Sequence, residues 1–149
     1  MPTRTSEAGP YQFHLDQSFG RGSVEAVSWA PDGNSFALAT SIQVDLYDAK
    51  TLDIVATLDT RQWNKTIAYS PDSQLVAVGD EEGTIQIWDL NARKLIHTLT
   101  PTDLQPGYTN GPVFAFSADG QTLVSAFNQS VYLWNLQTGK LIDFMVVVK

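Results

Sequence analysis

The 149-residue chain has no cysteine, which excludes a disulfide framework, a thiol nucleophile and any cysteine-ligated zinc or iron–sulfur site. It is also poor in positive charge: Lys plus Arg total 9 against 16 Asp plus Glu, a formal net charge of −7, and the basic residues nowhere form a run. Sequence-independent binding to nucleic acid or to anionic lipid needs a positive surface, so neither nucleic acid nor membrane is an expected partner. Long hydrophobic runs are absent too. The stretch from Phe144 to Val148 falls far short of the roughly 20 residues that a spanning helix needs. Met1 to Pro10 carries Arg4 and Glu7 and no apolar run, unlike a signal peptide or anchor, so a soluble, cytoplasmic protein is expected.

Histidine is scarce as well, with only His14 and His97. No carboxylate or serine stands at a recognisable motif spacing from either, so the chain reads as a non-enzyme with no catalytic residues. Gly20-Arg21-Gly22-Ser23 lacks the Gly-Lys-Ser/Thr ending and the following helix of a phosphate loop. Asp80-Glu81-Glu82 lacks the alternating ligand spacing of a calcium loop and reads as a solvated hairpin tip. No cofactor and no metal are therefore expected. Asn64-Lys65-Thr66 and Asn128-Gln129-Ser130 fit the glycosylation pattern and are read as chance matches.

What the chain does have is apolar and aromatic content: 43% hydrophobic residues, with 7 Phe, 4 Trp and 5 Tyr. That is enough for a folded core and suits one domain by length. Internal repetition is the informative feature. Trp29-Ala30-Pro31-Asp32-Gly33 recurs as Tyr69-Ser70-Pro71-Asp72-Ser73 and as Phe116-Ser117-Ala118-Asp119-Gly120, with the Asp residues 40 and 47 positions apart. A second landmark follows each copy: Leu46-Tyr47-Asp48, Ile87-Trp88-Asp89-Leu90 and Leu133-Trp134-Asn135-Leu136, the aromatics 41 and 46 apart. Both landmarks give three units of one period, the third preceded by an insertion.

Each unit reads as four short strands. In the second, Ile67 to Tyr69 enters a Pro71-Asp72-Ser73 hairpin, where Pro presets φ and Asp bonds its own backbone. Leu75 to Val78 is apolar on both faces, which predicts a sheet covered on both sides. A turn at Asp80 to Gly83 leads to Thr84–Trp88, and the more polar Lys94 to Leu99 reads as an outer strand.

Ser-Pro-Asp, an apolar strand, a Gly-Thr turn and Ile-Trp-Asp at this period resemble the WD-repeat family of β-propellers over about residues 20 to 149. The resemblance implies an all-β, propeller-type array of about three four-stranded blades in an incomplete ring, acting as a non-catalytic scaffold for a protein partner. Residues 1–10 are expected as a flexible tail and 11–149 as three blades preceded by one extra outer strand at Tyr11 to Phe19. The family's stabilising network joins a third-strand Trp to a second-strand Ser or Thr, a His before the first strand and an Asp after the second. Trp88 and Trp134 match and are placed between blades, whereas Tyr47 replaces the first Trp and matters less if its hydroxyl reaches solvent. Ser125 matches only in unit three, no Gly-His pair precedes any unit, and Glu82 stands where the Asp would be.

Rings of this kind have about 4 to 8 blades, so three leave two bare faces of order 300 Å² each. Each forgoes roughly 7 kcal/mol of burial. Missing blades of a longer propeller, paired with residues 11–19, or self-association are expected to cover them. An enzymatic domain outside this chain, accompanied by the propeller, is the alternative reading of function. In the resembled fold the loops before the first strand and between strands two and three share one face, here collecting Arg21, Arg61, Gln62, Trp63, Glu82, Tyr108, Asn128 and Gln129. Arg61, Trp63 and Tyr108 are of the types enriched in binding hot spots. Trp63 packing between blades, with Tyr108 anchoring the long Thr100–Asn110 loop, is the competing reading.

Overall fold

A computed structural model describes residues 21–102 and 110–148. Among them twelve strands form three four-stranded antiparallel sheets, each in simple sequential order, so the expected array of propeller blades is what forms. Blade 1 comprises β1 (Val24–Trp29), β2 (Ser35–Thr40), β3 (Val44–Asp48) and β4 (Ile54–Leu58). Blade 2 comprises β5 (Asn64–Tyr69), β6 (Leu75–Asp80), β7 (Ile85–Asp89) and β8 (Lys94–Leu99). Blade 3 comprises β9 (Val113–Phe116), β10 (Thr122–Phe127), β11 (Ser130–Asn135) and β12 (Lys140–Val146). The three blades do not close a ring. The tail at 1–10, the outer strand at 11–19 and Tyr108 lie outside the described residues.

Turn chemistry sets the period. At the first hairpin of each blade an Asp carboxylate accepts the backbone N–H two residues on: Asn34 to Asp32 (2.8 Å), Gln74 to Asp72 (3.0 Å) and Gln121 to Asp119 (3.0 Å). In blades 2 and 3 a serine completes the loop. Ser70 donates to Asp72 (2.6 Å) and accepts from the Leu75 N–H, and Ser117 does the same with Asp119 and Thr122. The residue after each Asp takes the left-handed conformation, Gly33 and Gly120 at little cost and Ser73 at φ 61°. The residue after the third-strand aromatic serves the next turn likewise: Asp48 caps Lys50 and Thr51, Asp89 caps Ala92, and Asn135 caps Gln137 and Thr138. Only an acceptor is needed there, which is why Asn135 can stand for Asp.

A bulge precedes that aromatic in every blade. The register skips one outer-strand residue between Leu46 and Tyr47, Ile87 and Trp88, and Leu133 and Trp134, leaving Val55, Ile96 and Ile142 unpaired and exposed. Bulges of this kind bend a strand and increase its twist.

The core sits between blades. One apolar cluster joins Ala37, Ala39, Val44, Leu46 and Leu58 of blade 1 to Val76, Val78 and Trp88 of blade 2. A second joins Ala77, Ile85, Ile87 and Leu99 of blade 2 to Leu123, Tyr132 and Trp134 of blade 3. Alternate residues of β6 thus face opposite joints, which is the physical reason for its uninterrupted apolar run. We call the face turned toward the preceding blade leading and the other trailing. Trp88 and Trp134 lie on leading faces inside the joints, as expected.

The Tyr47 expectation is corrected. Its side chain is buried, hydroxyl included, and its ring stacks on Phe36 at 5.0 Å, so no solvent-reaching hydroxyl lightens its role.

Candidate functional site

In each sheet the connection entering the first strand and the turn between the second and third strands lie at one end of the blade. Side chains stitch these elements together. Gln62 donates to the Val78 carbonyl (3.4 Å), Gln86 to the Thr60 carbonyl (2.9 Å), and the buried Asn64 amide to the Thr40 and Gln43 carbonyls (2.7 and 3.1 Å). With its amide nitrogen committed inside the blade 1–2 joint, Asn64 is closed to glycosylation in the folded chain.

Trp63, from the β4–β5 connection, is 51% exposed and sits over that joint. Its ring lies 4.9 Å beneath the Lys65 ammonium, and its indole N–H points to Glu25 at 3.5 Å. Lys65 Nζ is 3.3 Å from the other Glu25 oxygen, and Ser23 Oγ donates to Glu25 at 2.7 Å. Glu25 comes from β1 and Lys65 from β5, so a charge pair in sparing contact with water clasps two blades and holds the aromatic upright. The Ser23 bond, then the Lys65 bond, hold the Glu25 carboxyl below its ordinary range. Both readings of Trp63 thus meet in one residue: it contacts groups of both blades and still shows half its surface.

The remaining positions fall beside it or at the next joint. Arg21 precedes β1, in the segment leading to Ser23. Arg61 takes a left-handed backbone (φ 51°) and pairs with Asp59 at 2.9 Å, both side chains well exposed. A pair so solvated adds little stability, and its guanidinium keeps donors for another carboxylate. Glu82 lies in the β6–β7 turn with its side chain exposed, while its N–H and that of Thr84 donate to Asp80. Asp80, not Glu82, is therefore the turn acceptor, and its burial pushes its carboxyl up against the pull of those bonds. Gly83, at φ 93°, brings this turn so near Phe127 that a Cβ would enter the ring. Asn128 follows Phe127 in left-handed conformation in the β10–β11 turn, beside exposed Gln129. Its amide oxygen and nitrogen are hidden from solvent and make no hydrogen bond.

The structure thus brings Arg61 and Trp63 to the first joint and Glu82 and Asn128 to the second, while Arg21 is an exposed residue ahead of β1. Glu25 and Lys65 were not singled out from sequence. Their signal was there: opposite charges exactly one 40-residue period apart. Among the described residues no three His, Asp or Glu gather to hold a metal ion, and no helix is long and apolar enough to cross a membrane. His97 lies on β8 with its imidazole against Gly139.

The blade 3 network decides the relation of the repeats to known ones. Trp134 donates its indole N–H to Ser125 Oγ at 2.9 Å, both side chains buried, as the WD-repeat resemblance implies. Residues 12–141 match the family described as Eukaryotic translation initiation factor eIF2A. The chain belongs to that family. Its units are WD repeats. It is 37% identical over 76 residues to human apoptotic protease-activating factor 1, covering 49% of this chain and 6% of that protein. Bovine WD repeat-containing protein 1 is 32% identical over 99 residues, covering 63% of this chain and 16% of the relative. A crystal structure of RRP9 WD40 repeats superimposes with a TM-score of 0.74 at 17% identity, covering 87% of this chain and 40% of that one. The chain therefore spans a small part of the curated relatives it matches, and the last likeness speaks for the fold alone.

Proposed function

We propose that this chain is a non-catalytic platform for a protein partner, docked on the face that carries Arg61, Trp63, Glu82 and Asn128, with Arg21 ahead of β1 as a further contact; Tyr108, also expected to contribute, lies outside the described residues. The observation that carries the reading is Trp63: a large aromatic half exposed, yet held in place by Glu25 and Lys65 from two blades. An aromatic fixed before binding can bury much area at little entropic cost. Arg61 beside it can take a partner carboxylate. Asn128, with its amide hidden, contributes shape at the turn and not a hydrogen bond. The net charge of −7 favours a protein partner over nucleic acid or an anionic membrane. The name of the apoptotic protease-activating relative denotes action on another protein, which is the same kind of role. We place the protein in the cytoplasm.

Trp63→Ala tests this. It should weaken capture of a partner from native lysate by about 2 kcal/mol or more, and Arg61→Ala by less, while the thermal midpoint moves little. Retained capture in both variants overturns the platform. A lowered midpoint with parallel loss of capture assigns Trp63 to the joint instead. The family description supports a second reading, a partner in the translation apparatus. An acidic chain would then meet basic protein rather than RNA. Co-sedimentation with ribosomal subunits, its presence or absence, decides that reading.

A further inference from the structure

Of the six asparagines in the chain, only Asn110 is followed by glycine. It is exposed and lies in the connection entering β9, at the same end of the blades as Trp63. Neither Asn110 nor Gly111 takes part in a hydrogen bond among the described residues. The fold itself demands the glycine. Gly111 adopts φ 69°, and a Cβ there would come within 2.5 Å of the Lys65 Cβ and 3.2 Å of the Asp80 carbonyl oxygen. Any side chain would be strained by that backbone and crowded by blade 2, so the position next to Asn110 has to be bare.

The other asparagines are each obstructed. The Asn64 amide is buried and committed to the Thr40 and Gln43 carbonyls, and the Asn128 amide is hidden from solvent. The N–H that follows Asn91 is held by Asp89, and the one that follows Asn135 by the Gln121 carbonyl. Asn34 is followed by Ser35, whose side chain crowds its own N–H. Asp32 and Asp119 also precede glycines, but a carboxylate is a poor electrophile, and each already accepts the N–H two residues on.

We propose that Asn110 is a site of spontaneous deamidation, with water as the reagent. The Gly111 backbone nitrogen attacks the Asn110 side-chain carbonyl carbon. The new N–Cγ bond forms, the Cγ–Nδ2 bond breaks, and ammonia leaves with the proton that Gly111 gives up. Water then adds to one of the two carbonyls of the resulting succinimide and opens the ring, giving aspartate or isoaspartate. Either product replaces a neutral amide by a carboxylate, at the residue adjoining the Lys65 contact. Isoaspartate also lengthens the main chain by a methylene, just ahead of the point where Gly111 is wedged against Lys65 and Asp80. Lys65 is the cation that pairs with Glu25 and lies over Trp63. The charge of this end of the blades therefore changes with the age of the molecule, whether or not a partner docks there.

Ageing the full 149-residue chain at mildly alkaline pH tests this, read by peptide mapping and by labelling with an isoaspartate methyltransferase. The amide-to-acid mass gain should appear at Asn110 about tenfold or more faster than at Asn34 or Asn91, which are also exposed, a difference of ~1.4 kcal/mol in barrier. Isoelectric focusing should show a band with one added negative charge growing at the same rate. Asn110→Gln, at an exposed position outside any strand, should keep the wild-type circular dichroism spectrum and lose both the label and the acidic band. Equal rates at Asn110, Asn34 and Asn91, or an acidic band that persists in Asn110→Gln, would each overturn the proposal.

Discussion

Ser125 and Trp134 form the interaction whose removal can be reckoned most directly. The indole N–H and the hydroxyl are 2.9 Å apart, with 3% and 1% of the two residues exposed. Ser125→Ala removes the acceptor and leaves the indole N–H buried without one, a loss of about 1–3 kcal/mol. Trp134→Phe keeps an aromatic in the joint, removes the donor and strands the Ser125 hydroxyl, so it carries a similar penalty plus the lost ring volume. In the double variant neither group is left unpaired. Its cost should therefore fall short of the sum of the single costs by about 1 kcal/mol, the signature of direct coupling. Urea unfolding followed by far-ultraviolet circular dichroism is the assay, since tryptophan fluorescence changes with the substitution itself. Additivity of the two single variants within about 0.5 kcal/mol, or a Ser125→Ala cost below that, would refute a structural role for this bond.

Two further expectations follow from the joints and the turns. Trp88→Ala should cost about 3–5 kcal/mol, as for other buried large aromatics, and Tyr47→Ala should fall in the same range because Tyr47 is equally sealed; denaturant midpoints rank them, and a loss under about 1 kcal/mol at both would sink the packing assignment. Asp72 and Asp119 are held below the ordinary carboxylate range first by the Ser70 and Ser117 hydroxyls and then by the turn N–H groups. A depressed carboxyl contributes stability that is full above its unfolded pKa and is lost as pH falls through the folded value. The double variant Ser70→Ala/Ser117→Ala should therefore flatten the acid limb of a thermal-midpoint profile while changing the neutral plateau less; an unchanged acid limb contradicts it.

The period, the strand order and the placement of Trp88 and Trp134 were legible in the sequence because turn chemistry announces itself. Pro, Asp, Ser and Gly at fixed offsets admit few backbone conformations, and the two landmarks bracket every blade. The Ser125 bond was legible for the same reason, being a matter of position within a repeat. Less visible were interactions whose partners lie a whole period apart. Glu25 and Lys65, single charges in apolar strands, read one at a time as solvated side chains; only alignment of one blade on the next makes them a pair. Asp80 was passed over for Glu82 because the tip of a hairpin looks the same from either carboxylate until the backbone N–H directions are known. Burial of Tyr47 was misjudged because its blade opens the described array, and strand periodicity does not say what lies against the first face.

Loss of the family network without loss of the fold has a physical explanation in the third-strand position itself. In blade 3 the Trp134 indole finds the family's partner, Ser125. In blade 2 the register puts Val78 where Ser125 would stand, and Trp88 donates instead to Gln86 at 2.9 Å, the residue paired across from Val78. Gln86 in turn donates to Thr60 in the β4–β5 connection, so the substitute bond also ties the blade to the loop that carries Trp63. In blade 1, Tyr47 brings no indole, and stacking on Phe36 takes its place. Two hydrogen bonds and one ring stack serve one packing requirement, an aromatic at the bulge on the leading face. The hydrogen bond can vary because its net worth is about 1 kcal/mol, whereas burial of the ring contributes several times that. The fold therefore depends on the ring and the bulge. The polar residues around them are free to change from blade to blade, and with them the surface that each blade presents to a partner.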